Sequence, residues 1–516
     1  RATPYGTMSA DALRTELRGR LEQHGVAEKL QQSVASALTH KAAGSQELVE
    51  SVELQSLIAA SLLEDSALGK ALPGLAHALR TMATKMPEDP TEWLCARLKA
   101  SRPVVVREYS ESVLKAHVMK CDEFEDIHLL KTERPHPQAW NFRRTDAALP
   151  VFGSGQCHLD GIVYLAGHLK RELGFHKVIW LNMREEPVVF VNGQACAPRT
   201  EGNLNENVEY LARIEGYELD AMERRMRDEC VEAAAAGGGT IGVFYQKAGG
   251  ANVEEQLPVP RESSLPVREA YELVNATEGA PAVTYVRVPI TDETAPDEGD
   301  FDQLVAELRE TALALTDDTA LVFNCQMGRG RTTTGMVCGS ILLLAVRGWK
   351  PRAGAPLALP AATSEGRNLR RGEFKGVLQL LALMDEELKP TAAAAGGEPG
   401  ASKLARRGSS HIMPEGIGLQ AKLLADECID ACAHAQNMVE AIVECQQSAG
   451  KAEIDAARSP EFWLRRGRNY MERYASLLLF AAYALQEAKG GFETTYSEWS
   501  HRHWQFKRVM KHFVLE

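Results

Sequence analysis

The chain has 516 residues, of which 45% are hydrophobic and 25% charged, and a formal net charge of −12. That length is too great for one ordinary domain, and the composition is that of a folded globular protein, not of a disordered or fibrous one. The acidic balance excludes a general attraction to nucleic acid or to an anionic membrane surface, so an anionic ligand has to be drawn by a local basic pocket.

Residues 1–103 read as a helical region, because Ala10–Arg20, Leu48–Ala67 and Gly74–Lys85 repeat apolar residues at helical spacing. Within it, Thr91-Glu92-Trp93-Leu94 echoes Ser497-Glu498-Trp499 near the other end of the chain. From residue 104 the pattern turns to α/β. Val104–Val106 reads as a strand, Asp160–Leu173 as a helix, Val178–Leu181 as a buried strand and Asn207–Ala235 as a long charged helix. Three glycines, Gly237–Gly239, stop that helix before a strand at Thr240–Tyr245, and further strands follow at Ala282–Val288 and Thr319–Phe323. Met336–Val346 is apolar throughout, as a buried helix is. This alternation predicts an α/β domain over 104–389 with a mostly parallel sheet flanked by helices. Lys350–Ser364 reads as a loop. Residues 390–416, rich in Ala and Gly, read as a flexible linker that carries Arg406-Arg407-Gly408-Ser409-Ser410, a pattern suited to a basic-directed kinase. Residues 417–516 form a C-terminal helical extension, with helices over Leu419–Gln446 and Phe462–Ala488 expected to pack on the α/β domain.

The longest apolar stretches, Ile341–Val346 and Ala475–Leu485, are too short to span a bilayer. Ten cysteines without a C-x-x-C pair point to reduced thiols and a cytoplasmic location. Cys428 and Cys432, one helical turn apart, read as helix packing, and no metal or other cofactor is expected. The chain opens on Arg1 and not Met, as a piece of a longer protein would, and no signal peptide is visible.

The chemistry concentrates in Asn324-Cys325-Gln326-Met327-Gly328-Arg329-Gly330-Arg331-Thr332, a C-x5-R loop between the strand at Thr319–Phe323 and the apolar helix. A thiolate, not a thiol, is the nucleophile, and a position just before a helix N-terminus surrounds Cys325 with N–H groups and the positive end of the helix dipole. The same groups, from Gln326 to Gly330, bind a phosphate dianion, and Gly328 and Gly330 let the backbone approach it. Arg331 offers a planar fork for two phosphate oxygens, and Thr332 is placed to hydrogen-bond the sulfur as it leaves. The expected reaction is attack by Cys325 on phosphorus, followed by hydrolysis of a phospho-cysteine. An acid is also needed. Asp292, Asp297 and Asp300 all lie after the strand at Ala282–Val288, and spacing alone does not rank them.

These residues resemble the cysteine-dependent tyrosine-phosphatase-like fold, and more narrowly its inositol-phosphatase branch, the cysteine phytases and the paladins. Further blocks carry the resemblance in order: Asn141-Phe142-Arg143-Arg144, Pro150 to Gln156, Leu181 to Gly193, Arg287 to Pro296, Arg371 to Lys375, and Tyr470 to Tyr474. The resemblance implies Asp292 as the general acid. It also implies a phosphorylated inositol or a phosphoinositide as substrate, peripheral membrane contact where the substrate is a lipid, no nucleic-acid partner, and neighbouring phosphatase repeats in a longer parent chain. Arg329 lies between the loop glycines, where phosphoinositide phosphatases often carry a cation, and two guanidinium groups favour a substrate with several phosphates. Arg143, Arg184 and Lys375 are further candidates for substrate contact. One departure bears on activity. Where the family usually has His before the nucleophile, this chain has Asn324, which hydrogen-bonds but carries no charge. The sequence therefore leads to a phosphomonoesterase of inositol polyphosphates or phosphoinositide headgroups. Its first alternative is a catalytically weak or inactive pseudophosphatase that binds phosphorylated ligands, and its second is a dual-specificity protein phosphatase.

Overall fold

The buried run Thr319–Asn324 forms the middle strand of a five-stranded sheet. The computed structural model of the protein describes residues 113–515, apart from 115–116, 123–128, 131–134, 136, 138, 146–148, 209–213, 248, 278, 315–317, 361–366, 389–415, 433–436 and 452–459. The helical region read over 1–103, the strand at Val104–Val106 and the Arg406–Ser410 pattern of the linker lie outside the described residues. In chain order the strands are β1 (Val118–Cys121), β2 (Arg143–Arg144), β3 (Val151–Ser154), β4 (Lys177–Arg184), β5 (Val189–Val191), β6 (Gln194–Arg199), β7 (Thr240–Gln246), β8 (Asn252–Pro258), β9 (Leu265–Pro266), β10 (Ala282–Ile290) and β11 (Thr319–Asn324). The helices are α1 (Leu159–Arg171), α2 (Gly216–Ala236), α3 (Val267–Ala276), α4 (Glu298–Ala314), α5 (Gly330–Val346), α6 (Lys375–Glu387), α7 (Ile417–Ala431), α8 (Met438–Lys451), α9 (Pro460–Glu487), α10 (Tyr496–Arg502) and α11 (Gln505–Lys511). None of these helices is long and apolar enough to cross a membrane.

The elements gather into two compact units that interleave in sequence. One combines the described residues of Arg1–Glu125 with Glu185–Ala270, and the other combines Asp126–Arg184 with Tyr271–Glu516. The stretch drawn from sequence as one domain over 104–389 is thus shared between them, because the chain leaves the second unit after β4 and returns to it only before β10.

The first unit is a six-stranded sheet in the order β8-β7-β1-β6-β5-β9, antiparallel except where β1 runs parallel to β7. Strand β7 alternates buried Ile241, Val243 and Tyr245 with partly exposed residues, which gives the sheet one apolar face. Helix α2 lays Met226, Cys230 and Ala234 on that face. Its Glu223 carboxylate accepts from the backbone N–H groups of Val188 and Val267, at 3.0 and 3.1 Å. Helix α2 begins at Gly216, later than the sequence pattern suggests, because Glu215 and Glu218 close a capping box there.

The second unit has the strand order β10-β4-β11-β3-β2. The first four strands are parallel, as expected, and β2 adds an antiparallel edge. Asn324 pairs with Asn182 on one side and Ser154 on the other, so β11 and β3 end level while β4 runs on to Arg184, and the loop after β11 emerges at the carboxyl ends of these strands. Helix α5 is buried on nearly every side, and α4, α7 and α9 pack around it. Gly335 and Gly339 let it lie directly on the Phe323 ring, since a Cβ at either would stand 2.5 or 3.0 Å from that ring. In α9, Leu477–Ala484 is wholly buried, and Phe480 stacks on Phe301 of α4 at 4.8 Å. The helix expected over Leu419–Gln446 is two helices. Asn437 ends the continuity by capping α8: its side-chain oxygen accepts from the Val439 N–H at 2.9 Å and its carbonyl from the Ala441 N–H at 2.9 Å.

Candidate functional site

Cys325 follows β11 directly, is buried, and stands at the mouth of α5, whose first turn holds Arg331. Between them, five consecutive carbonyls are turned outward to the surrounding scaffold. The Gln326 carbonyl accepts from the Gln156 N–H at 2.7 Å, that of Met327 from Asn141 Nδ2 at 2.6 Å, and that of Gly328 from Arg143 Nη1 at 2.7 Å. The Arg329 carbonyl accepts from the Thr333 N–H at 3.2 Å and from its hydroxyl, and that of Gly330 from the Thr334 hydroxyl at 3.2 Å. In a planar trans peptide the N–H points opposite to the C=O. The N–H groups of residues 327–331 therefore face the other side of the loop, and form a cradle for an anion.

Gly328 is required for this shape. Its φ is +72°, and a Cβ there would lie 2.4 Å from the Gly155 nitrogen and 2.5 Å from the Ser154 carbonyl carbon. Met327 is exposed at the rim and Arg329 is half-buried. The Thr332 hydroxyl donates to the Ser154 carbonyl at 3.3 Å, so it has to turn from that acceptor to serve the cysteine sulfur.

Asn324 is held on both sides. Its Oδ1 accepts from Trp180 Nε1 at 3.1 Å, and its Nδ2 lies 3.5 Å from Gln156 Oε1. Arg331 is buried, donates from Nη1 to the Ile290 carbonyl at 3.1 Å, and brings Nε within 3.3 Å of Asp292 Oδ1. Asp292 itself is partly exposed. The other two carboxylates have a different use: Asp297 and Asp300 each accept from the other's backbone N–H, at 3.0 and 2.9 Å, and so cap the start of α4.

Arg143, expected to contact substrate, supports the loop from outside. Besides the Gly328 carbonyl, its guanidinium donates to the Asn141 carbonyl at 3.0 Å and the Thr333 hydroxyl at 2.9 Å. Burial pulls its pKa down to about 10, with Arg329 acting in the same direction. Arg144 takes no part in the loop; it donates to the Leu149 carbonyl and lies over the Phe152 ring at 5.3 Å. Arg184 ends β4 wholly buried, with its N–H donated to Asn182 Oδ1 and its carbonyl accepting from Arg287 Nε. Lys375 opens α6 and is exposed. Sequence reasoning missed the supporting roles of Asn141, Gln156 and Trp180. The first two lie in blocks that carry the family resemblance, which was the available signal.

Comparison with known proteins gives the chain its relatives. Residues 181–343 match the sequence profile of the PTP-like phytase family, described as "Inositol hexakisphosphate". The chain is 27% identical over 388 residues to Paladin of Homo sapiens and 26% identical over 396 residues to Paladin of Danio rerio. These alignments cover 72% and 74% of this chain, but the chain spans only 40% and 41% of those proteins. Among solved structures, the tandemly repeated protein tyrosine phosphatase like phytase from Mitsuokella multacida aligns at 13% identity with a TM-score of 0.43, covering 97% of this chain and 70% of that one. The family match and the paladin alignments bear out the resemblance read from the sequence.

Proposed function

We propose that the chain is a cysteine-dependent phosphomonoesterase that hydrolyses inositol polyphosphates or phosphoinositide headgroups in the cytosol. The observation that carries this reading is the contact of Asp292 with Arg331 beside a loop whose carbonyls from Gln326 to Gly330 are turned away. A cradle of N–H groups binds an anion, whereas an adjacent carboxyl group is what catalysis needs in addition. The match to a family described by inositol hexakisphosphate supports the substrate class.

In the first step the phosphate dianion takes the place of the Asp292 carboxylate on Arg331. The Cys325 thiolate attacks phosphorus, the bond from phosphorus to the alcohol oxygen breaks, and protonated Asp292 gives its proton to that oxygen. In the second step water attacks the phospho-cysteine, Asp292 takes the water proton, and the phosphorus–sulfur bond breaks to return the thiolate. The loop amides and Arg331 stabilise the charge on the transferring group in both steps. Arg329 answers a second phosphate on the same ring.

A second reading rests on Asn324. Its amide oxygen is occupied by the Trp180 indole, and it places no ionisable group before the nucleophile. On that reading the loop binds phosphorylated ligands without turnover. Phosphate release from a panel of inositol polyphosphates, short-chain phosphoinositides and a phosphopeptide, measured for wild type and Cys325→Ser under reducing conditions, separates the cases. Release from the inositol substrates that vanishes in Cys325→Ser is expected. Equal behaviour of the two proteins establishes a scaffold, and a preference for the phosphopeptide establishes a protein phosphatase.

A further inference from the structure

We infer that Arg473, on the C-terminal helix α9, is a positioning residue for the acid loop and holds Asp292 at its place beside the phosphate loop. The inference rests on the reading of Asp292 as general acid. It begins from a buried cation with no assigned use: Arg473 is 5% exposed, in a helix whose buried side chains are mostly apolar. A guanidinium is rarely buried to that degree without several partners.

Its partners come from both halves of the site. Arg473 Nε donates to the Thr294 carbonyl at 3.2 Å, two residues after Asp292. Its Nη1 would stand 3.5 Å from a Cβ on Gly330, so the guanidinium lies against the residue that precedes Arg331. The Tyr470 ring, one turn earlier in α9, lies 5.7 Å from its central carbon. Burial lowers the pKa of Arg473, Tyr470, Asp292 and Glu293 act to raise it, and Arg331 lowers it again, which places all of these groups in one electrostatic neighbourhood.

The acid loop needs such an anchor. Its turn is closed locally by the Thr294 hydroxyl donating to the Thr291 carbonyl at 2.9 Å. Within the turn, Glu293 has a φ of +60°, a conformation costly for a residue with a side chain and kept only where the surroundings impose it. Arg473 meets the turn at the next residue. Its helix is fixed in turn by the adjacent Tyr474, whose hydroxyl donates to Asp426 Oδ1 at 2.6 Å and accepts from Lys422 Nζ at 3.2 Å. Lys422 Nζ also donates to the Arg371 carbonyl at 2.6 Å. A positioning group mounted on a packed helix holds its target more closely than one on a loop.

The chemistry supplies a selective test. An inositol alkoxide leaves only when protonated, so its release depends on Asp292. The p-nitrophenolate ion leaves without a proton, so its release does not. Hydrolysis of the shared phospho-cysteine uses Asp292 whichever substrate formed it, so the contrast lies in the first step, which kcat/KM reports: displacing Asp292 must slow that step for the inositol substrate and spare it for the aryl phosphate, whereas general damage to the fold slows both. The experiment measures kcat and KM for Arg473→Gln and Arg473→Lys on inositol hexakisphosphate and on p-nitrophenyl phosphate, and amide hydrogen exchange over residues 290–296 in the same proteins. Arg473→Gln should lose roughly 30-fold to 100-fold in kcat/KM on the inositol substrate and less than about 3-fold in kcat/KM on the aryl phosphate. Exchange over 290–296 should quicken. Arg473→Lys keeps the charge and one donor, should recover part of the loss, and serves if the Gln variant melts early. Equal losses in kcat/KM on the two substrates, or unchanged exchange over 290–296, would overturn the inference. Absence of Cys325-dependent turnover in wild type would instead defeat the phosphatase reading and the acid-positioning role with it, and the exchange data would still decide whether Arg473 tethers the loop.

Discussion

Arg143 and Gly328 meet behind the loop from Cys325 to Arg331, where Arg143 Nη1 donates at 2.7 Å to a carbonyl whose own residue has a φ of +72°. The two features depend on each other. Only a residue without a side chain turns the backbone this way so near Gly155, and only a buried donor holds the resulting carbonyl away from the anion side. The cradle is thus made by strand β2 as much as by the loop that carries the cysteine.

Arg143→Ala should destabilise the protein by about 3 kcal/mol or more, because it leaves the Gly328 carbonyl, the Asn141 carbonyl and the Thr333 hydroxyl without a buried donor. Arg143→Lys should recover only part of that, since an ammonium on a flexible stem does not reproduce a planar fork. Urea unfolding gives the stabilities. A shift of less than about 0.5 kcal/mol for the Ala variant, the range of an ordinary surface substitution, would contradict a supporting role.

The two loop glycines should respond differently. Gly328→Ala places a Cβ 2.4 Å from backbone at a left-handed φ, and should cost about 3 kcal/mol. A Cβ on Gly330 meets nothing nearer than Arg473 Nη1 at 3.5 Å, and Gly330 opens α5, so Gly330→Ala should shift stability by less than about 1 kcal/mol. Denaturation midpoints of the two variants test the contrast, and similar losses in both would refute it.

These relationships mark what the sequence can and cannot convey. The run Thr319–Phe323, the glycines after it and the apolar helix lie next to one another in the chain, so strand, loop and helix were legible locally, and Cys325 and Arg331 with them. The capping use of Asp297 and Asp300 was legible too, in their spacing of three before a helix, and would have removed both as acid candidates. The place of Arg143 was not. It depends on β2, two residues long, pairing antiparallel with β3 so that Arg143 faces Gly153 across the ladder. Such a strand has no periodicity to read, and its register comes from its partner. The same holds for β1 and β6, whose pairing of Val118 with Arg199 joins segments far apart in the chain.

His503 provides a pH test of the C-terminal packing. Its ring stacks on Phe506 at 5.5 Å and lies 5.1 Å from that of Trp499. Burial lowers its pKa below the ordinary 6.5, and Arg502 adds to the effect. The unfolded chain therefore takes up a proton first as pH falls, and stability drops through the window from 6.5 down to the depressed folded value. His503→Phe removes that proton uptake. The melting temperature of wild type should fall relative to the variant as pH is lowered through this window, and a constant difference between them would refute the assignment.

Trp180 and Asn324 set the floor of the site from neighbouring strands, and their hydrogen bond can be broken from either end. In Trp180→Phe the ring volume is largely kept but Asn324 Oδ1 loses its indole donor, in a place where Asn324 is 1% exposed. An unsatisfied buried acceptor costs about 1–3 kcal/mol, so the variant should lose stability in that range. The consequence for chemistry follows from register, because Asn324 is the last residue of β11 and Cys325 the next in the chain. An amide freed from Trp180 no longer fixes the backbone that presents the thiol. Alkylation of Cys325 by iodoacetamide, followed on its own peptide by mass spectrometry, should therefore change in Trp180→Phe. In Asn324→His a protonated imidazole beside the sulfur should favour its thiolate and speed alkylation near neutral pH. If both variants alkylate at the wild-type rate while Trp180→Phe is destabilised, the pair serves packing alone, and the Asn at this position is no obstacle to catalysis.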